Sequence, residues 1–333
     1  MQGLPALRQG QSELLEERRP LSHLSRVPDG QTILHEQDEE SLRQIQTKTT
    51  MKLIRPSVEI KVQGDGEDGM FEHIEWAGRH CYKSHDKMTA TSAREFVGRI
   101  AKSGHGSVLE HGTIYLAIPF DDMPEDLLHN PYTRCKEVHT PAIEDWYAVT
   151  TNYRVIVENN WDLLLMYQCP QTSVHEKRIT AKFICDRGVS HEFVRHRTLS
   201  VSQESQRYCN YGKDKFGSQI TFIKPSWWNA KSEDKESFKK ALLKAEETYL
   251  KAIKAWDERK QDKRFRTKHK GNPLSPQMAR MILPNATKTE LVMTGFKSDW
   301  EHFLELRCSP AAHPDARYLA NKLRTLINSS NGN

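Results

Sequence analysis

The stretch Asp186–Tyr211 reads DRGVSHEFVRHRTLSVSQESQRYCNY, and the rest of the chain is interpreted around it. Val189 and Phe193 lie four residues apart, a spacing that predicts a short amphipathic helix ending near Arg197. The polar run that follows has too few apolar side chains to pack into a core, so it predicts a loop. Immediately upstream, Arg178–Asp186 (RITAKFICD) has the β-branched and aromatic composition of a strand. The predicted order is therefore strand, short helix and polar loop.

The polar side chains of this stretch favour a binding site for an anionic ligand. Guanidinium groups fit phosphate or carboxylate oxygens bidentately, hydroxyl and amide groups complete the hydrogen bonding, and aromatic faces can stack on a flat ring. The candidate residues are Arg195, His196, Arg197, Ser200, Ser202, Gln203, Ser205, Gln206, Arg207, Tyr208 and Tyr211. The alternative is a solvated, basic helix end, which is the usual explanation of a charge run. We favour the ligand site because its Arg and His side chains have little opposing charge nearby.

The spacing of these residues resembles the signature of flavin-dependent thymidylate synthases. The longer family pattern is R-H-R-x-x-S-x-N-x-x-S-x-R-Y. The matching residues are Arg195-His196-Arg197, Ser200, Ser205, Arg207 and Tyr208. Ser202 stands where Asn is usual. A match spread over the whole pattern is far more specific than a short glycine motif.

A second segment carries the same resemblance. The sequence SGHGSVLEH begins at Ser103, and a GHxSxxEH-like sequence lines the flavin in this family. On the residues alone, His105, Glu110 and His111 also suggest a metal site, although metal-binding helices favour His pairs four residues apart. A polar loop before the next strand is the third interpretation. The resemblance favours the flavin, with His105, Ser107 and Glu110 in the family positions.

Three further motifs extend the resemblance towards the end of the chain. The family shows an A-R-x-x-L-P element, a T-G element and an H-F-x-x-L-R helix, followed by an alanine-rich helix. The corresponding residues are Ala279-Arg280 with Leu283-Pro284, Thr294-Gly295, His302-Phe303 with Leu306-Arg307, and the predicted helix Ala311–Leu326. Phe296 and Ser298 stand where the family has Asn and Arg.

Arg307 ends one of these predicted helices. Trp300, Phe303 and Leu304 form the apolar face, and Arg307 lies four residues after Phe303, at the edge of that face. Burying a guanidinium group without an anion is costly. We therefore expect Arg307 to have a functional partner.

The resemblance implies an enzyme that converts dUMP to dTMP, with 5,10-methylenetetrahydrofolate as the one-carbon donor and FAD reduced by NADPH. No protein nucleophile is needed. Arg307 is the implied catalytic residue, which stabilises negative charge on the uracil ring. The implied FAD ligands are His105, Ser107, Glu110, Arg195, His196, Arg197, Gln203 and His302. The implied dUMP ligands are Glu192, Arg195, Gln203, Glu204, Ser205, Gln206, Arg207, Arg280 and Arg307. The family is homotetrameric, which implies the same assembly here.

Composition argues against several classes of protein. The chain has 333 residues, 28% charged residues and a mean hydropathy of −0.73. No apolar run reaches the roughly 20 residues of a membrane span, and the N-terminus lacks the apolar segment of a secretory signal. The six cysteines form no CxxC pair, which fits reduced thiols in the cytoplasm. The net charge of +5 suits an anionic small molecule as well as nucleic acid. We expect a cytoplasmic enzyme without a membrane or nucleic-acid partner.

The resemblance covers about residues 51–327 and implies an α+β fold, a mixed, mostly antiparallel sheet flanked by helices. Residues 1–50 contain no aromatic residue and no cysteine, so we expect a flexible N-terminal extension. The domain is expected to span 51–330, with an insertion at about 119–177.

Periodicity predicts further elements in this domain. The expected strands are Lys52–Val62, Thr113–Ile118, Tyr147–Val157 and Ser218–Lys224. The expected helices are Phe71–Tyr82, Ser92–Ala101, Trp161–Tyr167 and Ser237–Glu258. Ser92 and Glu95 form an expected capping box. Residues 119–145 carry several prolines and predict an insertion or a long loop between two strands.

Two rival functions are compatible with parts of the sequence. A non-catalytic RNA-binding protein would use the basic run Arg259–Lys270 and would bind polynucleotides with a steep salt dependence. A metal hydrolase would contain stoichiometric metal, held by His105, Glu110, His111 and His191. The sequence from His191 almost spells H-E-x-x-H, but Arg195 takes the place of the second His, so we expect neither a zinc protease nor a metal. A yellow protein that releases FAD on denaturation would reject both rivals.

Overall fold

Two antiparallel sheets organise the part of the chain that the computed structural model describes, which comprises residues 51–140, 145–229, 231–262, 264 and 275–330. The larger sheet has four strands in the order β2-β6-β9-β7. Their bounds are Ser57–Lys61 for β2, Arg178–Asp186 for β6, Lys288–Phe296 for β9 and Ser200–Gln203 for β7. β6 and β9 pair along all nine residues of each strand, which makes them the centre of the sheet.

The smaller sheet is built largely from the predicted insertion. Its strands, in the order β3-β5-β4, are Thr113–Pro119 for β3, Arg134–Val138 for β4 and Trp146–Asn152 for β5, and both pairings are antiparallel. A separate parallel pair joins β1, Lys52–Ile54, to β8, Thr221–Ile223.

Helices flank these sheets. The α-helices are α1 Gly66–Tyr82, α2 Ser92–Lys102, α3 Gly106–Leu109, α4 Glu125–Leu128, α5 Tyr153–Asn159, α6 Arg187–Phe193, α7 Ser232–Arg259, α8 Ser275–Ala279, α9 Lys297–Arg307 and α10 Pro314–Ser330. Short 3-10 helices cover His85–Lys87, Phe120–Asp122, Asp162–Tyr167, Asp214–Phe216, Ser226–Asn229 and Arg280–Ile282. The expected α+β class, with a mostly antiparallel sheet flanked by helices, is confirmed.

An aromatic cluster fixes the helix that ends at Arg307. α9 buries Trp300 and Phe303, whose rings pack near Phe183 of β6, and Phe303 also packs edge-on against Phe193 of α6. Burial of each large side chain stabilises the fold by about 2 kcal/mol. The packing holds α9 in place, and Arg307 lies at the edge of the buried face, as its spacing predicted.

The prediction of a loop after α6 is wrong, because this segment contains a strand. Ser200–Gln203 pairs antiparallel with β9. Ser200 and Ser202 are polar but occupy the buried face, and Ser202 Oγ lies 3.0 Å from His111 Nε2. A buried hydroxyl group with a hydrogen-bond partner costs little. The polar composition of this segment therefore did not indicate a strand, because the strand depends on pairing with the distant β9.

The predicted long loop at 119–145 is also wrong. It contains α4 and the edge strand β4. The strand predicted at Tyr147–Val157 ends at Asn152, because the Asn152 side chain accepts a hydrogen bond from the Val155 N–H at 3.3 Å and caps α5.

The capping box predicted at the start of α2 is absent. Thr91 is the N-cap residue, and its side chain makes no capping hydrogen bond. Ser92 Oγ instead donates to Glu75 at 2.8 Å and accepts from the Thr89 N–H at 2.9 Å. Ser92 therefore joins α2 to α1 instead of capping its own helix.

The other predicted elements are present with shifted ends. The strand Lys52–Val62 is two strands divided at Pro56, and Trp161–Tyr167 is mostly a 3-10 helix. The predicted extension at 1–50 and most of the basic run after Asp262 lie outside the described residues. None of the helices in the described ranges combines the length and apolarity needed to cross a bilayer.

Candidate active site

Arg307 is the centre of a small network at the end of α9. Its Nε donates to His196 Nε2 at 3.0 Å, its Nη1 to Glu192 Oε2 at 2.7 Å and its Nη2 to the Glu192 carbonyl oxygen at 2.8 Å. The Arg307 side chain is 17% exposed, so water screens the ion pair only in part. Three hydrogen bonds from three nitrogen atoms fix the plane of the guanidinium group.

His196 is neutral in this network. Burial lowers its pKa to about 4, and the charges of Arg307 and His302 contribute to the decrease. Because Arg307 Nε is a donor, His196 Nε2 accepts the bond and the ring proton belongs on Nδ1. The ring packs against Phe303, with 4.8 Å between centroids. The imidazole therefore orients Arg307 at neutral pH.

The two arginines that flank His196 are exposed. Within the described ranges, no hydrogen bond or ion pair joins the side chain of Arg195 or Arg197 to another residue. His302 is also exposed, and its ring lies 6.1 Å from the His196 ring. Two guanidinium groups beside the Arg307 network are thus available to an anionic ligand.

Gln203 lies at the end of β7 and contacts neighbouring hydroxyl groups. Its Nε2 donates to Ser190 Oγ at 2.9 Å and to Thr289 Oγ1 at 3.2 Å. The amide therefore ties β7 to α6 and β9, and its carbonyl oxygen has no hydrogen bond to another described residue.

Glu204 lies beneath the exposed side chains of the motif. It is 2% exposed, accepts a hydrogen bond from the Tyr211 hydroxyl at 2.8 Å and pairs with Lys288 Nζ at 2.7 Å. Lys288 also pairs with Glu290 at 2.8 Å, and Glu290 pairs with Lys83. Burial alone would raise the pKa of Glu290, but the two lysines outweigh it and hold that pKa at about 2.

Sequence reasoning missed this cluster of two lysines and two glutamates. Lys83 follows α1 in the left-handed conformation, with φ 49°, and belongs to no motif. The only available signal was Glu204 itself, since an acid next to a buried strand requires a cation.

The loop that follows β7 packs against the end of α1. The Ser205 N–H donates to the Cys81 carbonyl oxygen at 2.9 Å, and the rings of Tyr208 and Tyr82 lie 5.1 Å apart. These contacts hold the loop in a fixed position beside β7.

Three further predicted ligands, two arginines and an amide, lie on this loop and at the end of α8. Arg207 is exposed, and its Nε donates to Gln277 Oε1 at 3.1 Å. Arg280, three residues after Gln277, is exposed as well. Gln206 Nε2 is buried without a hydrogen-bond partner among the described residues.

The structure does not bring the predicted His105 segment into the Arg307 network. His105 and Ser107 are exposed around the start of α3, and Glu110 accepts a hydrogen bond from Arg154 Nη1 at 2.6 Å. Across the described residues, no hydrogen bond or ion pair joins these three to Arg307.

His111 instead joins a buried chain of hydroxyl groups. Its Nδ1 lies 2.8 Å from Thr294 Oγ1 and its Nε2 3.0 Å from Ser202 Oγ. Thr294 Oγ1 lies 2.8 Å from Thr180 Oγ1, which lies 3.0 Å from His73 Nε2. Burial lowers the pKa of His111 well below its usual value, so the imidazole is neutral. The chain links the His105 segment to the T-G element and to the motif strand.

The residues of the rival metal hydrolase have separate contacts. Glu110 pairs with Arg154, His111 contacts hydroxyl groups, and His191 Nε2 lies 3.2 Å from Arg187 Nη2. In the part of the chain that the structure describes, no three His, Cys, Asp or Glu side chains are grouped to hold a metal ion.

Known proteins are similar to the part of the chain that forms this site. The family model described as "Thymidylate synthase complementing protein" matches residues 165–330, which include the R-H-R motif, Arg280 and Arg307. The chain is 28% identical over 267 residues to the flavin-dependent thymidylate synthase of Mycolicibacterium vanbaalenii, covering 79% of this chain and 78% of the relative. The chain belongs to the flavin-dependent thymidylate synthase family.

Other relatives are similarly distant. Identity to the flavin-dependent thymidylate synthase of Mycolicibacterium gilvum is 26% over 276 residues, which cover 82% of this chain and 80% of the relative. Among solved structures, the chain is similar to a UMP/dUMP methylase PolB from Streptomyces cacaoi at 14% identity and a TM-score of 0.40, covering 84% of this chain and 92% of that one. That likeness is too weak for a comparison of the two folds.

Two positions at which this chain departs from the family pattern contact the predicted insertion. The Arg134 guanidinium lies over the Phe296 ring, 4.4 Å from its centroid. Glu176 accepts hydrogen bonds from the Ser298 N–H at 3.2 Å and the Ser298 hydroxyl at 2.6 Å. Arg134 and Glu176 themselves lie 3.7 Å apart. Phe296 and Ser298 therefore join the β9–α9 junction to the segment 119–177.

Proposed function

We propose that this protein is a flavin-dependent thymidylate synthase that converts dUMP to dTMP, with 5,10-methylenetetrahydrofolate as one-carbon donor and NADPH as reductant of its FAD. The observation that carries the proposal is the Arg307 network, which presents an oriented cation beside the exposed Arg195 and Arg197. Membership of the family supports it. When bound, the flavin would supply the reducing equivalents.

The residues present fit an anionic cofactor and an anionic substrate. Arg195 and Arg197 have no charged partner within the described ranges, and the Gln206 amide nitrogen is buried without a partner there. Guanidinium donors match pyrophosphate and phosphate oxygens. We assign FAD to His105, Ser107, Glu110, Arg195, His196, Arg197, Gln203 and His302. We assign dUMP to Glu192, Arg195, Gln203, Glu204, Ser205, Gln206, Arg207, Arg280 and Arg307.

Arg307 is the residue that we assign to catalysis. A guanidinium group has five N–H donors, and Glu192 and His196 engage one on each of its nitrogen atoms. One N–H on each Nη is left for a uracil oxygen. A donor held in a fixed plane stabilises negative charge on the ring without first having to reorganise.

The state of the cysteines supports a mechanism without a protein nucleophile. Burial, with the nearby charge of Glu204, raises the pKa of Cys209 to about 12, and burial also raises the pKa of Cys308. The thiolate is the nucleophilic form of cysteine. Both thiols are therefore protonated at neutral pH and poorly suited to attack a pyrimidine ring.

The colour and activity of the purified protein test the proposal. We expect a yellow protein that releases FAD on denaturation and forms dTMP from dUMP when methylenetetrahydrofolate and NADPH are both supplied. Reactions that lack one co-substrate are the controls. A colourless protein that forms no dTMP would reject the proposal. Steeply salt-dependent binding of a polynucleotide by that colourless protein would favour the RNA-binding alternative.

We further propose a homotetramer in the cytoplasm, with the activity carried by residues 51–330. The absence of contact between the His105 segment and Arg307 supports an assembly in which different chains supply the two halves of a site. A chain that starts at Met51 should keep its FAD, its tetrameric mass in light scattering and its turnover. Loss of any of these would show that the first 50 residues are structural.

A further inference from the structure

A pocket of about 490 Å³ lies between the end of β2, the start of β6 and the three-stranded sheet. Its wall includes Tyr115 of β3, Ile60 of β2 and Ile179 of β6. The segment 168–171, at the end of the predicted insertion, closes another side. The pocket contains none of the residues that we assign to FAD or dUMP.

Arg178 is the buried cation of this pocket. It is 8% exposed, and its Nη1 and Nη2 donate to Thr113 Oγ1 at 3.3 Å and to the Glu110 carbonyl oxygen at 3.0 Å. Neither acceptor carries a charge. Its Nε has no hydrogen-bond partner in the described part of the chain, and no carboxylate there lies within ion-pair distance. Burial lowers the pKa of the Arg178 guanidinium to about 10, and the more distant charges of Glu110 and Asp299 oppose this decrease only in part.

The other buried arginine of the described residues provides a direct comparison. Arg79 is 7% exposed, and its Nη2 lies 2.6 Å from the Glu75 carboxylate, which is itself 1% exposed. Buried cations in proteins are ordinarily neutralised in this way. Arg178 has only two neutral acceptors and the face of Phe296, 5.5 Å away, so its counter-charge is missing.

Two of the three remaining charged residues of the pocket are positive. Lys61 and Lys177 line it together with Arg178, whereas Asp65 is the only acid among the lining residues. Gln168 and Gln171 add amide groups to the lining. Such a wall attracts an anion and offers it several donors.

We propose that this pocket binds a small molecule whose oxyanion, a carboxylate or a phosphate, pairs with Arg178 while its flat or apolar body packs on Tyr115, Ile60 and Ile179. Arg178 supplies a planar fork that suits either oxyanion. The site is separate from the proposed dUMP site and does not depend on the proposed function.

Calorimetric titration of the full chain with sodium benzoate and with inorganic phosphate, at constant ionic strength and with dUMP present, tests the proposal. The wild-type protein should bind one probe saturably, at one site per chain. Binding of benzoate identifies a carboxylate ligand and binding of phosphate a phosphate ligand. Arg178→Gln should weaken that binding roughly thirtyfold, because it removes one partner of a buried charge pair.

Two further variants keep the test informative if Arg178→Gln does not fold. Val62, 79% exposed, lines the pocket, so Val62→Trp should fill its opening and abolish binding. Leu163→Trp is the matched control, because Leu163 is 85% exposed and lies outside the lining. Lys177→Gln should weaken binding about threefold, whereas the exposed Lys136→Gln should not.

Three results would overturn the proposal. The first is the absence of saturable binding by either probe. The second is binding that survives both Arg178→Gln and Val62→Trp. The third is binding seen without dUMP and lost when dUMP is added, which would place the probe in the nucleotide site.

Discussion

Arg307 and Arg178 are mostly buried guanidinium groups in two regions of the molecule, and their charges are compensated differently. Both guanidinium groups are withdrawn from water, and both donate to a backbone carbonyl oxygen. Arg307 has the Glu192 carboxylate at 2.7 Å, whereas Arg178 has only neutral acceptors among the described residues. The first cation is balanced by the protein before any ligand binds. The charge of Arg178 is left for the proposed ligand to neutralise.

Each of the two regions also contains a histidine whose pKa the nearby arginine lowers. Burial is the main cause that lowers the pKa of both His196 and His73 to about 4, and the neighbouring arginine adds to it in each case. His196 accepts a hydrogen bond from Arg307, while His73 feels the charges of Lys61 and Arg178 without contacting either guanidinium or ammonium group. The comparison predicts that substitutions at Arg307 change the orientation of the side chains in its network. Changes near Arg178 should instead shift the pKa of His73.

The largest effect is expected from Arg307→Lys, which keeps the charge but loses the planar fork. The lysine ammonium cannot keep the bonds to His196 and Glu192 while also contacting the uracil ring. Removing one charge-stabilising donor typically costs about 10²–10³ in rate. We expect kcat to fall by that factor and dUMP binding to weaken, with FAD content near the wild-type level.

Arg195→Ala is the contrasting variant. The Arg195 side chain is exposed and has no partner within the described ranges, so its loss should lower FAD occupancy first. FAD content, dUMP affinity and turnover are measured in both proteins. Full activity in Arg307→Lys, or equal loss of flavin from both variants, would contradict the division of the site into flavin and nucleotide halves.

A smaller effect is expected from pH, through His73. The unfolded chain takes up a proton on this histidine as the pH falls below 6.5, but the folded protein does so only near pH 4. The folded pKa is the lower one, so stability is lost as the pH falls through that window. Between pH 7 and 5 the contribution of His73 is about 2 kcal/mol.

His73→Gln should remove that part of the pH dependence. Urea unfolding at pH 7 and pH 5 gives the free energy of unfolding in both proteins. We expect the loss between these pH values to be smaller in the variant. A probe bound beside Arg178 should also reduce the loss in the wild-type protein, because it offsets one of the charges that lower the His73 pKa. Equal slopes in the wild type and the variant would show that other groups dominate.

Glu192→Gln tests whether the protein itself balances Arg307. The amide keeps the shape of the carboxylate but not its charge, so the free energy of unfolding should fall by about 1 kcal/mol. Glu305→Gln on α9 is the control, since Glu305 is 79% exposed and lies 4.0 Å from His302. Equal losses in the two variants would mean that the Glu192 pair does not stabilise the fold.

The smallest effects on turnover are expected from Cys209→Ala and Cys308→Ala. Both thiols have raised pKa values, and neither takes part in the Arg307 network. Each variant should retain most of its dTMP formation in the coupled assay. Complete loss in a variant that is folded and still yellow would revive a cysteine nucleophile.

Much of the fold could be predicted from periodicity and composition. The strand Arg178–Asp186 has the predicted bounds, and α2 differs from its prediction by one residue at its end. The errors occur where tertiary pairing overrides local composition. Ser200–Gln203 is a strand because β9 supplies its partner, and Arg134–Val138 is an edge strand that depends on β5.

The position of Arg307 on its helix could be predicted from the sequence, but its contacts could not. Arg307 was placed at the edge of an apolar face from its helical spacing, and the structure confirms that position. Its bond to Glu192 spans 115 residues, and no local pattern relates two such positions. Lys83 belongs to no motif, because its partner is the Glu290 carboxylate, which only the fold brings near it. Which residues contact FAD and dUMP stays a prediction.

The strand order of the large sheet determines when its strands can pair during synthesis. β6 must wait for β9, which follows roughly 100 residues later, on the order of 5–20 s at the usual pace of a ribosome. β3, β4 and β5 lie together within residues 113–152 and can pair as soon as they emerge, since their contacts are local. The three-stranded sheet can therefore form before the sheet that carries the motif strand, and the nascent chain can present it as a surface for the later strands.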